Sequence, residues 1–180
     1  MRGIERRIEA GLDPSVSSVA SVFISRWDAA VIGRVSEQLR ARLGLAVGLK
    51  TYQAYRRLMD SARWQRLANA GARVQRLLWA STSTKDPDSP DTMYIDGLRA
   101  PHTINTMPES TLRAFDDHGR VGEPIAADGG DAEDTLAQFE SAGVDVDALA
   151  ETLQSEGARS FARSWDDLLT RIDSQVAVVA

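Results

Sequence analysis

Polar side chains that could bind a phosphate or a polyol follow an apolar run in the middle of the chain. The run Leu77–Ala80 is succeeded directly by four hydroxyl residues, Ser81–Thr84, and then by Lys85. Hydroxyls, backbone amides and an ammonium group all donate hydrogen bonds, so together they suit an anionic or a sugar oxygen. The same residue types also favour helix N-caps and surface loops, and the pattern alone leaves both interpretations open.

A second polar cluster ends another β-type run. Residues 16–24 are rich in β-branched side chains and precede Ser25, Arg26 and Asp28. Arginine binds phosphate through its planar fork, whereas the alternative is that Arg26 pairs with Asp28 or lies in solvent. If the two runs are neighbouring parallel strands, Ser25–Arg26 and Ser81–Lys85 lie on the same face and converge on one anion.

Lys85 has a second potential role, as a Schiff-base nucleophile, because a desolvated lysine near other cations loses its proton more readily. It lies between hydroxyl residues and Asp86–Asp88, which predicts a solvated, charged side chain and favours phosphate binding. Lys50 is the only other lysine, and it lies on a helical pattern that predicts a surface position.

Composition argues against several other chemistries. The chain has no cysteine, which excludes disulfides, thiolate metal sites and cysteine nucleophiles. His102 and His118 are the only imidazoles, so neither a histidine metal site nor a Ser-His-Asp triad is expected, and we predict no metal. A net charge of -5 argues against a nucleic-acid surface. The absence of a long apolar run and of a signal-type N-terminus predicts a cytoplasmic protein without a membrane span.

The elements that must position these side chains form a βαβ pattern. Two β-type runs enclose a helical pattern from Asp28 to Met59, which two glycines weaken in the middle, and a shorter helix that Ser61 caps and Gly71 ends. No hairpin signal occurs between the strands, so the sheet is predicted to be parallel. A third run precedes a helix that begins near Pro108. The predicted strands are Val16–Ile24, Val74–Ala80 and His102–Met107.

Three helices are predicted at the C-terminal end of the chain. They cover residues 131–142, 145–156 and 158–172, and the first two are expected to end at Gly143 and Gly157. In the third helix, apolar residues recur at intervals of four, three and four, which is typical of a helix face packed in a core. The residues of this apolar stripe are Phe161, Trp165, Leu168 and Ile172.

Four separated motifs, in the same order along the chain, resemble the C-terminal part of transaldolases in the form common in actinobacteria. The motifs are Ser21–Asp28, Arg76–Lys85, Asp91–Ile95 and Thr103–Leu112. The resemblance implies a (β/α)8 barrel that transfers a dihydroxyacetone unit between sugar phosphates, using a lysine Schiff base and no cofactor. The three predicted strands would then be the last three of the barrel, followed by C-terminal helices.

The resemblance also implies which residues contact the substrate. Ser21 and Arg26, around the sixth strand, would bind the substrate and its phosphate, and Ser81, at the end of the seventh, would be a further substrate contact. Ser83 and Lys85 lie where the wider family carries a second phosphate-binding arginine, so that role falls on Lys85. The family's Schiff-base lysine lies in a motif of the type Val-Lys-Ile-Pro-Ala-Thr, which these residues lack, so no catalytic residue is predicted here.

Residues 1–180 are therefore expected to form a single incomplete domain, with three of the eight strands of a barrel. Such a segment would expose a strand edge and a broad apolar face, fold poorly alone and show little or no activity. A separate N-terminal half, or self-association through the strand edge, would cover these surfaces. The alternatives are a non-catalytic sugar-phosphate-binding module, one half of a split enzyme, and a truncated product with no function of its own.

Overall fold

Three parallel strands form one sheet in a computed structural model of the protein, which describes the backbone of residues 1–179 and the side chains of residues 1–176. The strands are β1 (Ser18–Phe23), β2 (Gln75–Ala80) and β3 (Thr103–Asn105), and they lie in the order β1-β2-β3. The sheet confirms the predicted α/β class and parallel topology. Each strand is shorter than its predicted run by one to three residues in total, as is usual for element boundaries.

Helices flank the sheet and continue beyond it. Those assigned within residues 1–179 are α1 (Arg2–Glu9), α2 (Ser25–Val31), α3 (Leu43–Met59), α4 (Ala62–Asn69), α5 (Met93–Gly97), α6 (Glu109–His118), α7 (Ala132–Ser141) and α8 (Val146–Val179), with a short 3₁₀ turn at Glu37–Leu39. The Ser61 hydroxyl caps α4 as predicted, and Gly71, with a positive φ, follows its end.

The helical pattern predicted from Asp28 to Met59 is interrupted. Gly33 and Ala41 have φ angles of 74° and 56°, in the left-handed region, which a continuous right-handed helix cannot accommodate. Helix α2, the first part of this pattern, begins earlier than predicted, at Ser25. Ser25 and Arg26 therefore form its first turn and not the end of a strand.

One face of the sheet packs against α3. Leu77 and Trp79 of β2 are buried with Tyr52 and Tyr55 of α3 in one apolar cluster. The Trp79 side chain is 1% exposed, and its indole Nε1 donates a hydrogen bond to the Leu98 carbonyl oxygen at 3.0 Å. The largest side chain of the strand is therefore buried without an unsatisfied donor.

The pleat of β1 determines which of its side chains face α3. Ala20 and Val22 pack against the α3 cluster, and successive side chains of a strand point to opposite faces. Ser21 and Phe23 therefore lie on the face of the sheet turned away from α3. Phe23 meets Phe161 of α8 there, with a distance of 6.0 Å between ring centroids.

Helix α8 is one continuous helix where the sequence predicted two, over residues 145–156 and 158–172. It runs without interruption through Gly157, which was expected to end a helix, whereas Gly143 does follow the end of α7 with a φ of 83°. At Gly157 an added Cβ would lie 3.3 Å from Nη1 of Arg26, which is a tight approach. The glycine therefore gives room to an arginine side chain and does not terminate the helix.

The apolar stripe of α8 is not buried, so the prediction that it belongs to the core was wrong. Phe161 and Trp165 are 61% and 60% exposed, and every residue from Ala158 to Val176 is exposed. Of the residues of α8, Leu149 near its beginning is the one buried in the cluster around Phe139 within the described side chains. The stripe's periodicity is regular, but within residues 1–176 only Phe23 stacks on one of its aromatic rings.

No helix within the described backbone combines the length and apolar character that crossing a membrane requires.

Candidate functional site

Two hydroxyl groups meet where β1 and β2 end. The parallel ladder continues past the strands, since Ile24 N donates to Ala80 O and Ser25 N donates to Ser81 O, both at 2.9 Å. The side chains then meet directly, with Ser25 Oγ 2.8 Å from Ser81 Oγ. Ser25 is fully buried, and Ser81 adopts a φ of 55°, which is uncommon for a residue other than glycine.

Thr82 ties this junction to the end of the third strand. Its side chain is fully buried, and its Oγ1 lies 2.9 Å from Asn105 Oδ1 and 2.8 Å from the Thr106 carbonyl oxygen. Thr106 N donates in turn to the Trp79 carbonyl oxygen at 3.0 Å. The end of β3 therefore borders the site, and the buried threonine acts as a structural support for it.

Lys85 is exposed, as expected from its neighbours. Its Nζ donates a hydrogen bond to Ser83 Oγ at 2.8 Å, and its side chain lines a cavity of 320 Å³ beyond the end of β2. Arg40 lines the same cavity but is engaged by Asp86 at 2.6 Å and by Asp88 at 3.1 Å. Among the described residues, Lys85 makes no ion pair with a carboxylate within 4.0 Å, so its charge is available to a ligand.

A buried carboxylate also lines this cavity. Asp28 accepts hydrogen bonds from Leu43 N at 2.9 Å, from Gly44 N at 3.1 Å and from the Tyr94 hydroxyl at 2.6 Å. It thus caps the first turn of α3, where backbone N–H groups lack partners within the helix. Burial raises the pKa of Asp28 above the usual range, and burial beside Asp28 raises the pKa of Tyr94.

The sequence did not show this role of Asp28. The alternative that Arg26 pairs with Asp28 is wrong, because the carboxylate faces α3 and makes no ion pair with any described residue within 4.0 Å. Gly44 allows the Asp28 carboxylate to lie close to the backbone of α3, since an added Cβ at that position would lie only 2.5 Å from Asp28 Oδ2.

Arg26 and Ser21 lie apart from Lys85 and line a different cavity. The Cζ atom of Arg26 is 4.2 Å from the centroid of the Phe23 ring, a cation–π contact. Arg26, Ser21 and Phe161 line a cavity of 280 Å³ between β1 and α8. Ser21 is within β1, in register with Leu78, and is exposed.

The predicted binding residues therefore form three pairs. Ser25 meets Ser81, Ser83 meets Lys85, and Ser21 shares a cavity with Arg26, but Arg26 and Lys85 line different cavities. Only the serines show the predicted convergence of the two clusters, because α2 begins at Ser25 and its helical turn directs Arg26 elsewhere. The position of Ser25, as the first polar residue after the apolar run, indicated in the sequence that it belongs to the strand end. The resemblance had directed the substrate role to Ser21 instead.

Within the side chains described, no group of three or more histidine, cysteine, aspartate or glutamate residues is placed to hold a metal ion.

Comparisons with known proteins identify the family of this chain. The family model described as transaldolase/fructose-6-phosphate aldolase matches residues 4–172 of the chain. This chain belongs to the transaldolase/fructose-6-phosphate aldolase family. Its parallel three-stranded sheet with flanking helices is consistent with part of the TIM barrel of that family.

The chain is similar to several curated transaldolases of actinobacteria. It is 47% identical to the transaldolase of Parafrankia sp. (strain EAN1pec), an alignment that covers 100% of this chain and 51% of the relative. The transaldolase of Frankia alni is 45% identical over 98% of this chain and 50% of the relative, and that of Thermobifida fusca is 44% identical with the same coverage. The chain spans about half the length of the curated relatives it matches.

Proposed function

We propose that this chain carries the substrate-phosphate side of a transaldolase site, which serves the transfer of a dihydroxyacetone unit between sugar phosphates. The proposal is supported above all by the contact of 2.8 Å between Ser25 Oγ and Ser81 Oγ. The two hydroxyls lie beyond the carboxyl ends of neighbouring parallel strands, the position at which barrel enzymes bind their substrates. Family membership supplies the reaction class.

Each binding residue has a chemical role in this proposal. Ser81 exchanges hydrogen bonds with a sugar hydroxyl, because a serine both donates and accepts, and the buried Ser25 holds the Ser81 hydroxyl in place through the contact of 2.8 Å. Lys85 provides a positive charge for the phosphate, and Ser83, its hydrogen-bond partner, orients the ammonium group. Ser21 and Arg26 contribute from the neighbouring cavity, as the resemblance implies.

We propose that neither lysine forms the covalent Schiff base. A Schiff-base lysine must be neutral to attack a carbonyl carbon, which requires a desolvated environment. Lys85 is exposed, and Lys50, on α3, pairs with Glu133 of α7. We therefore expect the 180-residue chain by itself to bind a sugar phosphate without turnover, and the proposal involves no cofactor.

Borohydride trapping tests the covalent part. The chain is incubated with fructose 6-phosphate and borohydride, and its intact mass is measured. We expect no adduct, because no described lysine is desolvated. An adduct that peptide mapping assigns to Lys85 or Lys50 would overturn this part of the proposal.

Calorimetry with fructose 6-phosphate tests binding. S81A and K85Q should each weaken binding about tenfold, the effect of losing a hydrogen bond to a sugar or a charged group. K50Q is the matched control, since Lys50 also forms a single polar contact but lies on α3 away from the strand ends. Equal affinities for K85Q, K50Q and the unaltered chain would contradict the proposed phosphate role of Lys85.

The second candidate function is a non-catalytic sugar-phosphate-binding module or one half of a split enzyme. It is favoured by the sheet, whose β1 edge is unpaired within the described residues and carries Val19 at 43% exposure. Mixing the chain with the N-terminal half of the Parafrankia transaldolase separates the cases. Turnover only in the mixture supports a split enzyme, and binding without turnover in either sample supports the module.

Self-association through the β1 edge would appear in the same samples as a concentration-dependent mass in sedimentation.

The cytoplasmic location expected from the sequence stays a prediction.

A further inference from the structure

Arg26 has two companions that neither the residue pattern nor the family resemblance assigned. A groove of 600 Å³ lies between α2 and α8, and its wall carries three arginine side chains, Arg26, Arg159 and Arg163. We propose that this groove is an anion site for a phosphate group, in which α8 supplies two of the three guanidinium groups. The inference rests on the proposed phosphate role of Arg26 and is separate from that of Lys85.

The position of Arg26 in the groove is determined by packing. Its guanidinium lies over the Phe23 ring, with 4.2 Å from Cζ to the ring centroid. Gly157 allows α8 to pass close to it, because an added Cβ would lie 3.3 Å from Arg26 Nη1. Phe161 also holds the helix here through its contact with Phe23. An arginine held on an aromatic ring loses little further side-chain freedom when it binds an anion.

The two arginines of α8 are neighbours on the helix surface, because they are four residues apart. Gly157, Ser160 and Arg163 follow at intervals of three and form an inclined row along the helix, and Arg159 lies next to Arg163. All four residues line the groove. The row therefore continues from the contact with Arg26 along the groove, with the Ser160 hydroxyl as an additional hydrogen-bond donor.

The described wall of the groove carries three arginines and one glutamate, so its charge is positive. Among the described side chains, no carboxylate lies within 4.0 Å of a guanidinium nitrogen of the three arginines, whereas Arg40, Arg63 and Arg113 each have such a partner. Glu156 is the one acidic residue in the groove wall. Arg159 and Arg163, four residues apart on a helix, also repel each other.

An anion bound between the arginines would relieve this repulsion. Guanidinium groups bind phosphate through paired N–H donors, and a phosphate dianion offers enough acceptor oxygens for all three side chains. The ligand class is thus a phosphate or phosphomonoester. Free phosphate and the phosphate of a phosphorylated sugar share this chemistry, and the experiment has to distinguish the two.

The test is a calorimetric titration of the 180-residue chain at low ionic strength, once with inorganic phosphate and once with fructose 6-phosphate. Replacing both arginines of α8, R159Q/R163Q, should weaken binding of inorganic phosphate about tenfold or more, since hydrogen bonds to charged groups are lost. R26Q should have a similar effect. R171Q is the matched control, because Arg171 is an exposed arginine of the same helix outside the groove.

A second variant tests the groove without removing a charge. G157L places a side chain where Gly157 now admits the Arg26 guanidinium, and leucine is a good helix former, so α8 should persist. We expect weaker phosphate binding than in the unaltered chain. Circular dichroism confirms the helix content of both variants.

The outcomes distinguish the two proposals. Unchanged phosphate affinity in R159Q/R163Q and G157L, together with a loss in K85Q, would overturn the α8 anion site and leave the proposed function standing. Loss in the α8 variants with no effect of K85Q would support the groove and contradict the Lys85 role. Weakening with inorganic phosphate alone would identify free phosphate as the ligand, and weakening with both would identify the sugar phosphate as well.

Discussion

Trp79 and Trp165 belong to equally regular apolar patterns, yet they lie in opposite surroundings. Trp79 of β2 is 1% exposed and its indole nitrogen is hydrogen-bonded, whereas Trp165 of α8 is 60% exposed. The sheet is covered by α3, which the same βαβ unit provides, while the described chain offers no comparable cover to the later part of α8. Periodicity therefore tells which side chains share a face. It does not tell whether anything covers that face.

Polar groups differ between the two regions in the same way. At the strand ends, Asp28, Ser25 and Thr82 are buried, and each has hydrogen-bond partners within the protein. On α8, Arg159 and Arg163 are exposed and make no ion pair within 4.0 Å among the described side chains. The buried groups at the strand ends thus stabilise the fold, whereas Lys85 beside them and the arginines of α8 are accessible to a ligand.

The largest contrast is expected between the two tryptophans. W79A should lower the free energy of unfolding by about 3–5 kcal/mol, because it removes a fully buried aromatic side chain and leaves a cavity. W165A, the control, should change it by less than about 0.5 kcal/mol, as at other exposed positions. Urea unfolding measures both. If W165A proved as damaging as W79A, the α8 stripe would be covered in solution and the contrast would not hold.

Asp28 tests the polar side of the comparison. D28A should lower the free energy of unfolding by about 1–3 kcal/mol, since it leaves buried N–H donors of α3 and the Tyr94 hydroxyl without their acceptor. D167A on α8 is the matched control, because Asp167 is exposed. Thermal unfolding of both variants measures the difference, and equal midpoints would contradict the structural role of Asp28.

The pH dependence of stability should also change in D28A. Burial raises the pKa of Asp28 in the folded chain above the 3.8 of a free carboxyl. In the window above that value the folded chain retains a proton that the unfolded chain has lost, so this group makes stability fall as pH rises. D28A should remove that slope. An unchanged slope in urea unfolding at several pH values would show that Asp28 titrates normally.

The two site serines should have a smaller, coupled effect. S25A and S81A should each cost about 1 kcal/mol, the usual contribution of one hydrogen bond in a protein. The double variant should cost less than the sum of the single ones, because both remove the same contact of 2.8 Å. S21A is the control, as Ser21 is exposed. Additive effects in the double-mutant cycle would mean that the two hydroxyls do not interact.

The smallest effect is expected at His118, an exposed residue of α6. Hydrogen bonds to Asp91 and Asp117 raise its pKa above 6.5, so its stabilising contribution is complete below that pH and is lost as pH rises through the raised value. D91N should abolish this loss by removing the closer partner, at 2.8 Å. Nuclear magnetic resonance titration of the imidazole measures the pKa, with His102 as the internal control. A His118 pKa that does not fall in D91N would contradict the pairing.

Local signals account for what could be predicted from the sequence. The apolar, β-branched runs predicted three parallel strands, and Ser61 and Gly143 predicted helix ends, because these signals act within a few residues. The family was recognisable for a similar reason, since contiguous motifs carry it.

Such local signals could not predict the hydrogen-bond partners of Asp28. Leu43 is fifteen residues away along the chain and Tyr94 is 66 away, and nothing in the residues around Asp28 indicates either contact. The start of α2 at Ser25, which separates Arg26 from Lys85, also depends on how the strand end meets the following turn.

The sequence by itself determined the strand order along the chain, the family and the residues from which a phosphate site can be built. Only the tertiary structure decided that Ser25 meets Ser81, that Arg26 and Lys85 line different cavities, and that α8 presents its arginines and its apolar stripe to the outside. The physical reason is that burial and pairing are properties of two surfaces. A sequence pattern describes one of them, and the fold supplies the other.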